Sequence, residues 1–179
     1  MILRHPSLLP RTLRLPLHFP RAYRPFTSSS TQSAQNRIFS NVRTPDELHT
    51  LTFLSATDNR PLITLWTASW CSTCRAVKPL VRSLIEEERV GEKEGGLGYA
   101  EVEMDSVLIG DLGVKFMITS LPTLLAFSRQ EPQMETKLVR PEQMKNKEFL
   151  REWLLNEARR GGRAGGSGGS PFGGLFGGR

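Results

Sequence analysis

Residues 70–74 read Trp70-Cys71-Ser72-Thr73-Cys74 and contain the only two cysteines in a chain of 179 residues. The motif follows an apolar run, Leu62 to Ala68, that predicts a buried parallel strand, and it precedes a helix-like stretch from Ser72 to Arg89. A cysteine at the first turn of a helix faces unpaired backbone N–H groups and the positive end of the helix dipole, and both favour its thiolate. Because Cys74 lies one turn later, it can attack a mixed disulfide formed at Cys71. The spacing therefore predicts a reversible dithiol/disulfide couple.

Two other interpretations of the cysteine pair are open at this point. One is half a zinc site, because zinc normally takes four ligands. The chain has three histidines, His5, His18 and His49, and the first two lie in a segment that we expect to be removed. A zinc site would need a second chain or carboxylates, and we predict neither a metal nor a cofactor. The other interpretation is a pair of buried, unreactive cysteines at the end of a strand.

The N-terminal segment has the composition of an organellar transit peptide. The first 45 residues contain seven arginines but no lysine, aspartate or glutamate. Within them, residues 24–29 (Arg-Pro-Phe-Thr-Ser-Ser) resemble a mitochondrial processing pattern that puts the mature start near Ala34. We therefore expect residues 1–36 to be a mitochondrial transit peptide, with the matrix preferred over the intermembrane space. The alternative is a basic tail that binds nucleic acid, although the lysines and interleaved aromatics of such tails are missing.

The positive charge of the chain lies in its two ends. All 18 acidic residues but only 13 of the 24 basic residues fall within 46–158, which gives this part a charge of −5 against +6 for the whole chain. The central part is thus mildly acidic, and we expect no nucleic-acid partner. No stretch approaches the roughly 20 apolar residues that cross a bilayer, so we also expect no membrane span.

The C-terminal stretch, residues 161–179, includes ten glycines and cannot bury enough surface to offset its ordering entropy. We therefore expect a disordered, glycine-rich tail. The alternative is that Pro171 to Phe176 contact a partner protein.

The residues between these ends, 37–160, predict one compact α/β domain. Its first helix has a clear start, with Thr44 as the cap, Pro45 at the first helical position and Glu47 three residues after the cap. Hydrophobic periodicity predicts strands at 37–42, 62–68, 98–104, 122–127 and 134–139, and helices at 45–55, 72–89, 107–116 and 146–160. The residues expected to be buried on the first and last helices are Leu48, Leu51, Phe53 and Leu54, and Phe149, Leu150, Trp153 and Leu154.

Over roughly residues 37–158 the chain resembles a thioredoxin-family domain. The resemblance rests on Trp70-Cys71-x-x-Cys74 after a buried strand, on Pro79 five residues past the second cysteine, and on Leu121-Pro122-Thr123 ahead of an apolar strand. It implies a thioredoxin fold, in which a central mixed β-sheet is flanked by helices on both faces. It also implies a cis Pro122 against the active-site disulfide, whereas the alternative is a trans proline that opens an edge strand. The substrate-binding residues that it implies are Trp70, Leu121, Pro122 and Thr123, with the backbone of Leu121 pairing with the substrate.

The chain also departs from the family pattern. Ser72-Thr73 replaces the usual Gly-Pro between the cysteines, so the reduction potential of the family does not carry over. Leu65 replaces the buried aspartate that lies six residues before the first cysteine, and Glu101 replaces the lysine that usually faces it. Glu101 either supplies a half-buried carboxyl group near the sulfur atoms, where its pKa would be raised, or is a solvated residue of an alternating strand. The glycine that borders the substrate groove falls at Val139 or Arg140, which would alter the choice of substrate.

The resemblance implies a protein-disulfide reductase in which Cys71 attacks the substrate disulfide and Cys74 resolves the mixed disulfide. Together with the N-terminal composition, it leads us to expect a monomeric protein in mitochondria. Its partners would be protein disulfides and a thioredoxin reductase. The alternative is a thioredoxin-fold binding or assembly module in which redox chemistry is secondary. The departures at Leu65, Glu101 and the groove glycine favour that alternative.

Overall fold

The computed structural model describes residues 35–162, within which five strands and five α-helices occur along the chain. The predicted transit peptide lies outside these residues up to Ala34, and the predicted glycine-rich tail from Arg163 onward. The strands are β1 (Arg37–Ile38), β2 (Leu62–Thr67), β3 (Gly98–Glu103), β4 (Thr123–Ser128) and β5 (Glu131–Pro132). The helices are α1 (Pro45–Thr57), α2 (Ser72–Glu86), α3 (Leu112–Lys115), α4 (Pro141–Lys145) and α5 (Lys147–Gly162).

The strands form one mixed sheet in the order β1-β3-β2-β4-β5. Strands β1, β3 and β2 are parallel, whereas β4 runs antiparallel to β2 and β5 runs antiparallel to β4. Because β2 has a strand on each side and helices above and below, all six of its residues are buried. In this register Leu65 of β2 pairs with Glu101 of β3 and Trp66 pairs with Thr123 of β4.

Helices cover both faces of the sheet because side chains alternate along each strand. Ile63 and Leu65 pack with residues of α2, α4 and α5 in one apolar cluster. Leu62 and Trp66 pack with residues of α1 and α3 in a second cluster on the opposite face. The predicted architecture, a central mixed sheet with helices on both faces, is confirmed.

Helix α2 follows the predicted pattern closely. It buries Val77, Val81, Leu84 and Ile85 as one stripe, as the 3.6-residue period requires. The helix continues through Pro79 and ends at Glu86, three residues before the predicted end.

Helix α1 begins where predicted but buries a different face. The Thr44 hydroxyl oxygen accepts a hydrogen bond from the backbone N–H of Glu47, and the Glu47 carboxylate accepts one from the backbone N–H of Thr44, which makes a complete capping box. The prediction that Phe53 and Leu54 are buried is wrong, because their side chains are 55% and 41% exposed. The helix instead buries Leu48, Thr52 and Ser55. The two hydroxyl groups donate to the carbonyls of His49 and Arg60, so their burial leaves no unpaired donor.

Two other predicted elements are wrong. The helix predicted at 107–116 is confined to α3, because Val107 and Leu108 face solvent and cannot supply a buried stripe. The strand predicted at 134–139 is a short 3-10 helix at Met134–Thr136, followed by a single bridge between Leu138 and Leu124. The strand that pairs with β4 in this region is instead β5, because Arg129 and Gln130 adopt positive φ angles of 52° and 69° and reverse the chain there.

The C-terminal region contains one helix more than predicted. Helix α4 precedes α5, and Met144 on α4 is fully buried. On α5 Leu150, Trp153 and Leu154 are buried as expected, whereas Phe149 is 39% exposed. No helix within residues 35–162 is both long and apolar enough to span a membrane.

Residues at both borders of the domain take part in its packing. The Asn36 side-chain amide donates to the carbonyls of Ile85 and Val90, and its oxygen accepts the backbone N–H of Leu97 at 2.8 Å. At the other border a Cβ on Gly161 would overlap the ring of Pro61, so this position requires glycine. The packed domain therefore includes Asn36 and Gly161.

Candidate active site

Cys71 is the N-cap of helix α2. Its backbone is extended, with φ −79° and ψ 104°, and its sulfur accepts the backbone N–H of Cys74 at 3.1 Å. Sulfur thus takes the place that a serine or aspartate oxygen usually takes at this position. The first-turn N–H groups and the helix dipole both act on this sulfur, as the sequence predicted.

The two cysteines form a disulfide bond, with 5.3 Å between their Cα atoms. Cys71 is 7% exposed and Cys74 is 1% exposed, so a reactant can approach Cys71 more easily. Trp70, the preceding residue, is 72% exposed. The roles of Cys71 as nucleophile and Cys74 as resolving thiol stay a prediction, for which this order of burial is the favourable one.

The Leu121–Pro122 peptide bond is cis, and the trans alternative is wrong. Leu121 packs against Ala68 and both cysteines, which puts the cis bond beside the disulfide. Thr123 is fully buried, and its hydroxyl donates to the carbonyl of Ser120 at 2.7 Å. The Thr123 side chain therefore stabilises the turn, and its hydroxyl is turned away from solvent.

Glu101 is buried, and the alternative of a solvated glutamate is wrong. Its side chain is 2% exposed and forms an ion pair with Lys78, while Arg82 lies 3.8 Å away. The Tyr99 hydroxyl donates to the same carboxylate at 3.5 Å. Burial, reinforced by the charge of Glu101, raises the pKa of Tyr99, so this hydroxyl stays a donor.

A cleft of about 500 Å³ lies between the start of α2 and the carboxyl end of β3. Cys74, Lys78 and Glu101 all line it. Lys78 follows Cys74 by four residues, so both project from the same side of the helix. The cleft is therefore lined by the buried sulfur of Cys74, a carboxyl group and an amino group together.

Asp105 fixes the loop that carries the cysteines. Its carboxylate accepts the backbone N–H of Ser69 at 2.8 Å. Hydrogen bonds from the side chain and the backbone of Ser69 lower the pKa of Asp105. Two residues earlier, at the end of β3, hydrogen bonds from the side chains of Arg43 and Asn41 lower the pKa of Glu103 in the same way.

The sequence reasoning did not identify Lys78 or Asp105 as site residues. Lys78 could have been identified from the sequence, because residues four positions apart, such as Cys74 and Lys78, lie next to each other on one face of a helix. Asp105 lies in an irregular segment, and only the tertiary structure brings it to Ser69.

Val139 and Arg140 flank the cis proline on its other side. The antiparallel bridge between Leu124 and Leu138 puts Val139 next to Thr123 and Arg140 next to Pro122 along the backbone. Both side chains are exposed, and Val139 is 38% exposed. Bulky side chains therefore occupy the position at which the family resemblance implied a glycine.

The residues that the structure describes include no group of three or more His, Cys, Asp and Glu side chains arranged to hold a metal ion. The zinc interpretation of the cysteine pair therefore has no further ligands among residues 35–162.

The sequence of this chain is similar to those of known proteins. A family model described as Thioredoxin matches residues 46–152. A protein of Caenorhabditis elegans called probable thioredoxin-2 is 28% identical over 108 residues, which are 59% of this chain and 70% of that protein.

Two solved structures show the same fold. A thioredoxin from Nicotiana alata superposes with a TM-score of 0.53 at 15% identity, covering 72% of this chain and 98% of that one. Thioredoxin O1 from Arabidopsis thaliana in the oxidised state gives a TM-score of 0.51 at 21% identity, covering 65% and 97%.

Proposed function

This chain belongs to the thioredoxin family, its Cys71–Cys74 pair is a thiol–disulfide oxidoreductase centre, and we propose that it works as a protein-disulfide reductase in mitochondria. The observation that carries the proposal is the sulfur of Cys71 at the N-cap of α2, bonded to Cys74 and beside the cis Leu121–Pro122 bond. This arrangement stabilises the thiolate of Cys71 and shields the sulfur of Cys74 from solvent.

The reaction proceeds in two exchanges. The Cys71 thiolate attacks one sulfur of a substrate disulfide, and the other substrate sulfur leaves as a thiolate that takes up a proton. Cys74 then loses its proton and attacks the sulfur of Cys71, which releases the second substrate thiol. The substrate disulfide has gained two electrons and two protons, and the Cys71–Cys74 dithiol has become a disulfide. A dithiol reductant, which we propose to be a thioredoxin reductase, restores the dithiol.

Glu101 is the acceptor that we assign to the proton of Cys74. Because Cys74 is 1% exposed, bulk water has little access to its thiol. Glu101 lines the same cleft as Cys74, and its ion pair with Lys78 places a carboxyl group and a basic group there together. The carboxyl group near Cys74 thus belongs to Glu101 on β3. The residue that pairs with Glu101 on β2 is Leu65, which stands where the family usually has an aspartate.

The substrate segment would lie along the cis-proline edge. Leu121 packs on the disulfide and immediately precedes Pro122, so an extended segment that hydrogen-bonds to the backbone of Leu121 would bring its own cysteine to Cys71. Trp70, which precedes Cys71 in the chain, offers an exposed ring for contact with the substrate. We propose that the protein acts on such segments as a monomer.

The mitochondrial assignment rests on the arginine-rich, acid-free composition of residues 1–36. Fusion of residues 1–36 to a fluorescent protein tests it by imaging and by the size of the processed product. Import followed by cleavage near Ala34 is the expected result, and a diffuse, uncleaved fusion would contradict the assignment.

Insulin-disulfide reduction tests the chemistry. We expect the full chain with dithiothreitol to accelerate insulin reduction, and the Cys71→Ser variant to have no effect above the reductant alone. Equal rates with and without the wild-type protein would contradict the proposed function.

A second candidate function is a binding or assembly module. It is favoured by Val139 and Arg140, which are exposed and put bulk beside Pro122 where a partner would dock. The variant Cys71→Ser/Cys74→Ser separates the two functions in cells that lack the protein. Full rescue by this variant would favour the binding module, and failure to rescue would favour the reductase.

A further inference from the structure

A second cavity lies between helices α1 and α3 and the hairpin of β4 and β5. Its volume is about 550 Å³, which is within the usual range of small-molecule pockets. It shares no lining residue with the cleft at Cys74. Its apolar walls belong to the cluster on the face of the sheet opposite α2. The cavity is therefore separate from the active site.

Aromatic and sulfur-containing side chains form the floor of this cavity. The rings of Phe116 and Phe127 meet edge to face, with 5.2 Å between their centroids. Trp66, which does not line the cavity, packs on Phe116 with 5.7 Å between the ring centroids. Met134 lines the cavity and belongs to the same apolar cluster. Because aromatic rings and thioethers both make favourable contacts with another ring, the floor favours an aromatic occupant.

Lys115 adds a positive charge at the edge of the cavity. Its side chain is exposed, and its ammonium group lies 5.5 Å from the centroid of the Phe116 ring. This contact keeps the charge close to the aromatic floor. In the part of the chain that the structure describes, the ammonium group forms no ion pair. It can therefore pair with an anionic group of a bound molecule.

Two other ionisable side chains line the cavity, and both belong to α1. Asp46 lies in the first turn, where the N-terminus of the helix stabilises its negative charge. His49 is exposed one turn later and supplies a ring nitrogen for hydrogen bonding. Lys115 is thus the cation left for an occupant, whereas Asp46 disfavours an occupant with two negative charges.

We propose that this cavity binds a small aromatic molecule with one anionic group. Its ring contacts Phe116 and Met134, and its carboxylate or sulfonate group pairs with Lys115. The inference goes beyond the proposed function and does not depend on it, because the cavity and the disulfide lie in separate parts of the domain. The unpaired charge of Lys115 beside an aromatic floor favours this occupant over a second copy of the chain.

Two fluorescent probes with the same aromatic skeleton test the proposal on the full-length protein. Anilinonaphthalene sulfonate carries one negative charge, and phenylnaphthylamine is its neutral counterpart. The test variants are Lys115→Gln, which removes the charge, and Met134→Gln, which makes the floor more polar. The matched control is Lys145→Gln, because Lys145 is exposed on α4, whose Met144 packs on the opposite face of the sheet.

The wild-type protein should bind one molecule of the sulfonate probe. Lys115→Gln should weaken this binding about fivefold, because one ion pair at an exposed site is worth about that factor, and should leave the affinity for the neutral probe unchanged. Lys145→Gln should bind both probes like the wild type. Met134→Gln should weaken both probes by the same factor, since it removes apolar contact but no charge.

The methionine methyl resonances locate the bound probe. In protein labelled with carbon-13 at these methyl groups, saturation with the sulfonate probe should shift the Met134 resonance, because the ring of the probe lies against it. The Met144 resonance should stay in place, because that side chain is fully buried on the other face of the sheet.

An unchanged affinity of Lys115→Gln for the sulfonate probe, or an equal loss for both probes, would show that the cavity does not recognise the anion and would overturn the inference. Absence of saturable binding, or a shift at Met144 without one at Met134, would also overturn it. Analytical ultracentrifugation covers a second copy of the chain as the occupant. A dimer that Met134→Gln dissociates would assign the cavity to that copy and overturn the inference.

Discussion

The backbone N–H of Cys74 donates to the sulfur of Cys71 at 3.1 Å, so the resolving cysteine helps to stabilise the charge of the attacking one. In the reduced protein the acceptor at this position is a thiolate, and hydrogen bonds to a charged acceptor are roughly twice as strong as neutral ones. The same geometry therefore favours Cys71 as the attacking thiolate and Cys74 as the resolving thiol.

Cys71 should be alkylated before Cys74 in the reduced protein. It caps the helix and is the more exposed of the two, whereas Cys74 is 1% exposed. Limiting iodoacetamide at pH 7, followed by peptide mass spectrometry, should find at least about tenfold more label on Cys71, because reactivity follows thiolate content and access. Preferential labelling of Cys74 would reverse the assigned roles.

Glu101→Gln should slow the resolving step at least tenfold at pH 7, because glutamine cannot accept the proton of Cys74 and a positioned base contributes about that factor or more. The first attack by Cys71 should keep its rate. The defect should shrink as the pH rises and hydroxide takes over the deprotonation. Stopped-flow decay of a preformed mixed disulfide measures this step directly.

Glu103→Gln is the matched control for Glu101→Gln. Glu103 lies two residues further along the same strand and lines the same cleft, but its carboxylate is bound by Arg43 and Asn41. The Glu103→Gln variant should resolve the mixed disulfide at the wild-type rate. A wild-type rate in Glu101→Gln as well would remove Glu101 from the mechanism.

A chain of residues 35–162 should unfold cooperatively and keep the exchange activity, because the apolar clusters of the domain lie within it. Within that chain, Asn36→Ala should reduce the free energy of unfolding by about 2 kcal/mol, because it leaves the carbonyls of Ile85 and Val90 without their donor. Gln35→Ala, at an exposed position, should change little. Urea unfolding measures both, and equal stabilities would show that Asn36 is dispensable.

Glu157→Gln should change how stability depends on pH. Burial raises the pKa of Glu157, with Thr136 and Arg160 partly opposing the shift. From its ordinary value of 4.5 up to its raised value, the folded protein binds more protons than the unfolded chain, so stability falls as the pH rises.

The Glu157→Gln variant should lose this decline and be more stable than the wild type at pH 7, on the order of 1 kcal/mol, as expected for removal of a poorly paired buried group. Glu152→Gln is the control, because Glu152 is exposed on the same helix. Parallel stability–pH curves for Glu157→Gln and the wild type would contradict the prediction.

The parts of the fold that the sequence predicted correctly are those in which a single physical signal dominates. The largely apolar and β-branched stretch of β2 favours a strand that is buried on both faces, and the capping box at Thr44 fixes the start of α1. The cis state of Pro122 came from the family resemblance. No local property of Leu121-Pro122-Thr123 requires it.

The failures come from residues whose local pattern and tertiary environment disagree. Phe53 and Leu54 are apolar, yet α1 turns Thr52 and Ser55 inward, where their hydroxyl groups donate to the carbonyls of His49 and Arg60. The burial of Glu101 in a strand of alternating polarity depends on Lys78 and Arg82 of α2, which only the packed structure brings to it. Side-chain partners across elements are therefore the information that periodicity lacks.

The most direct test of the central claim is to trap the first intermediate of the exchange. Cys74→Ser, reduced and mixed with insulin, should accumulate a covalent adduct, and mass spectrometry of the digest should find an insulin cysteine joined to Cys71. Cys71→Ser under the same conditions should form at least about tenfold less adduct, since it lacks the capped thiolate. An adduct of equal yield in Cys71→Ser, or none in Cys74→Ser, would contradict the claim that Cys71 is the nucleophile of a disulfide reductase.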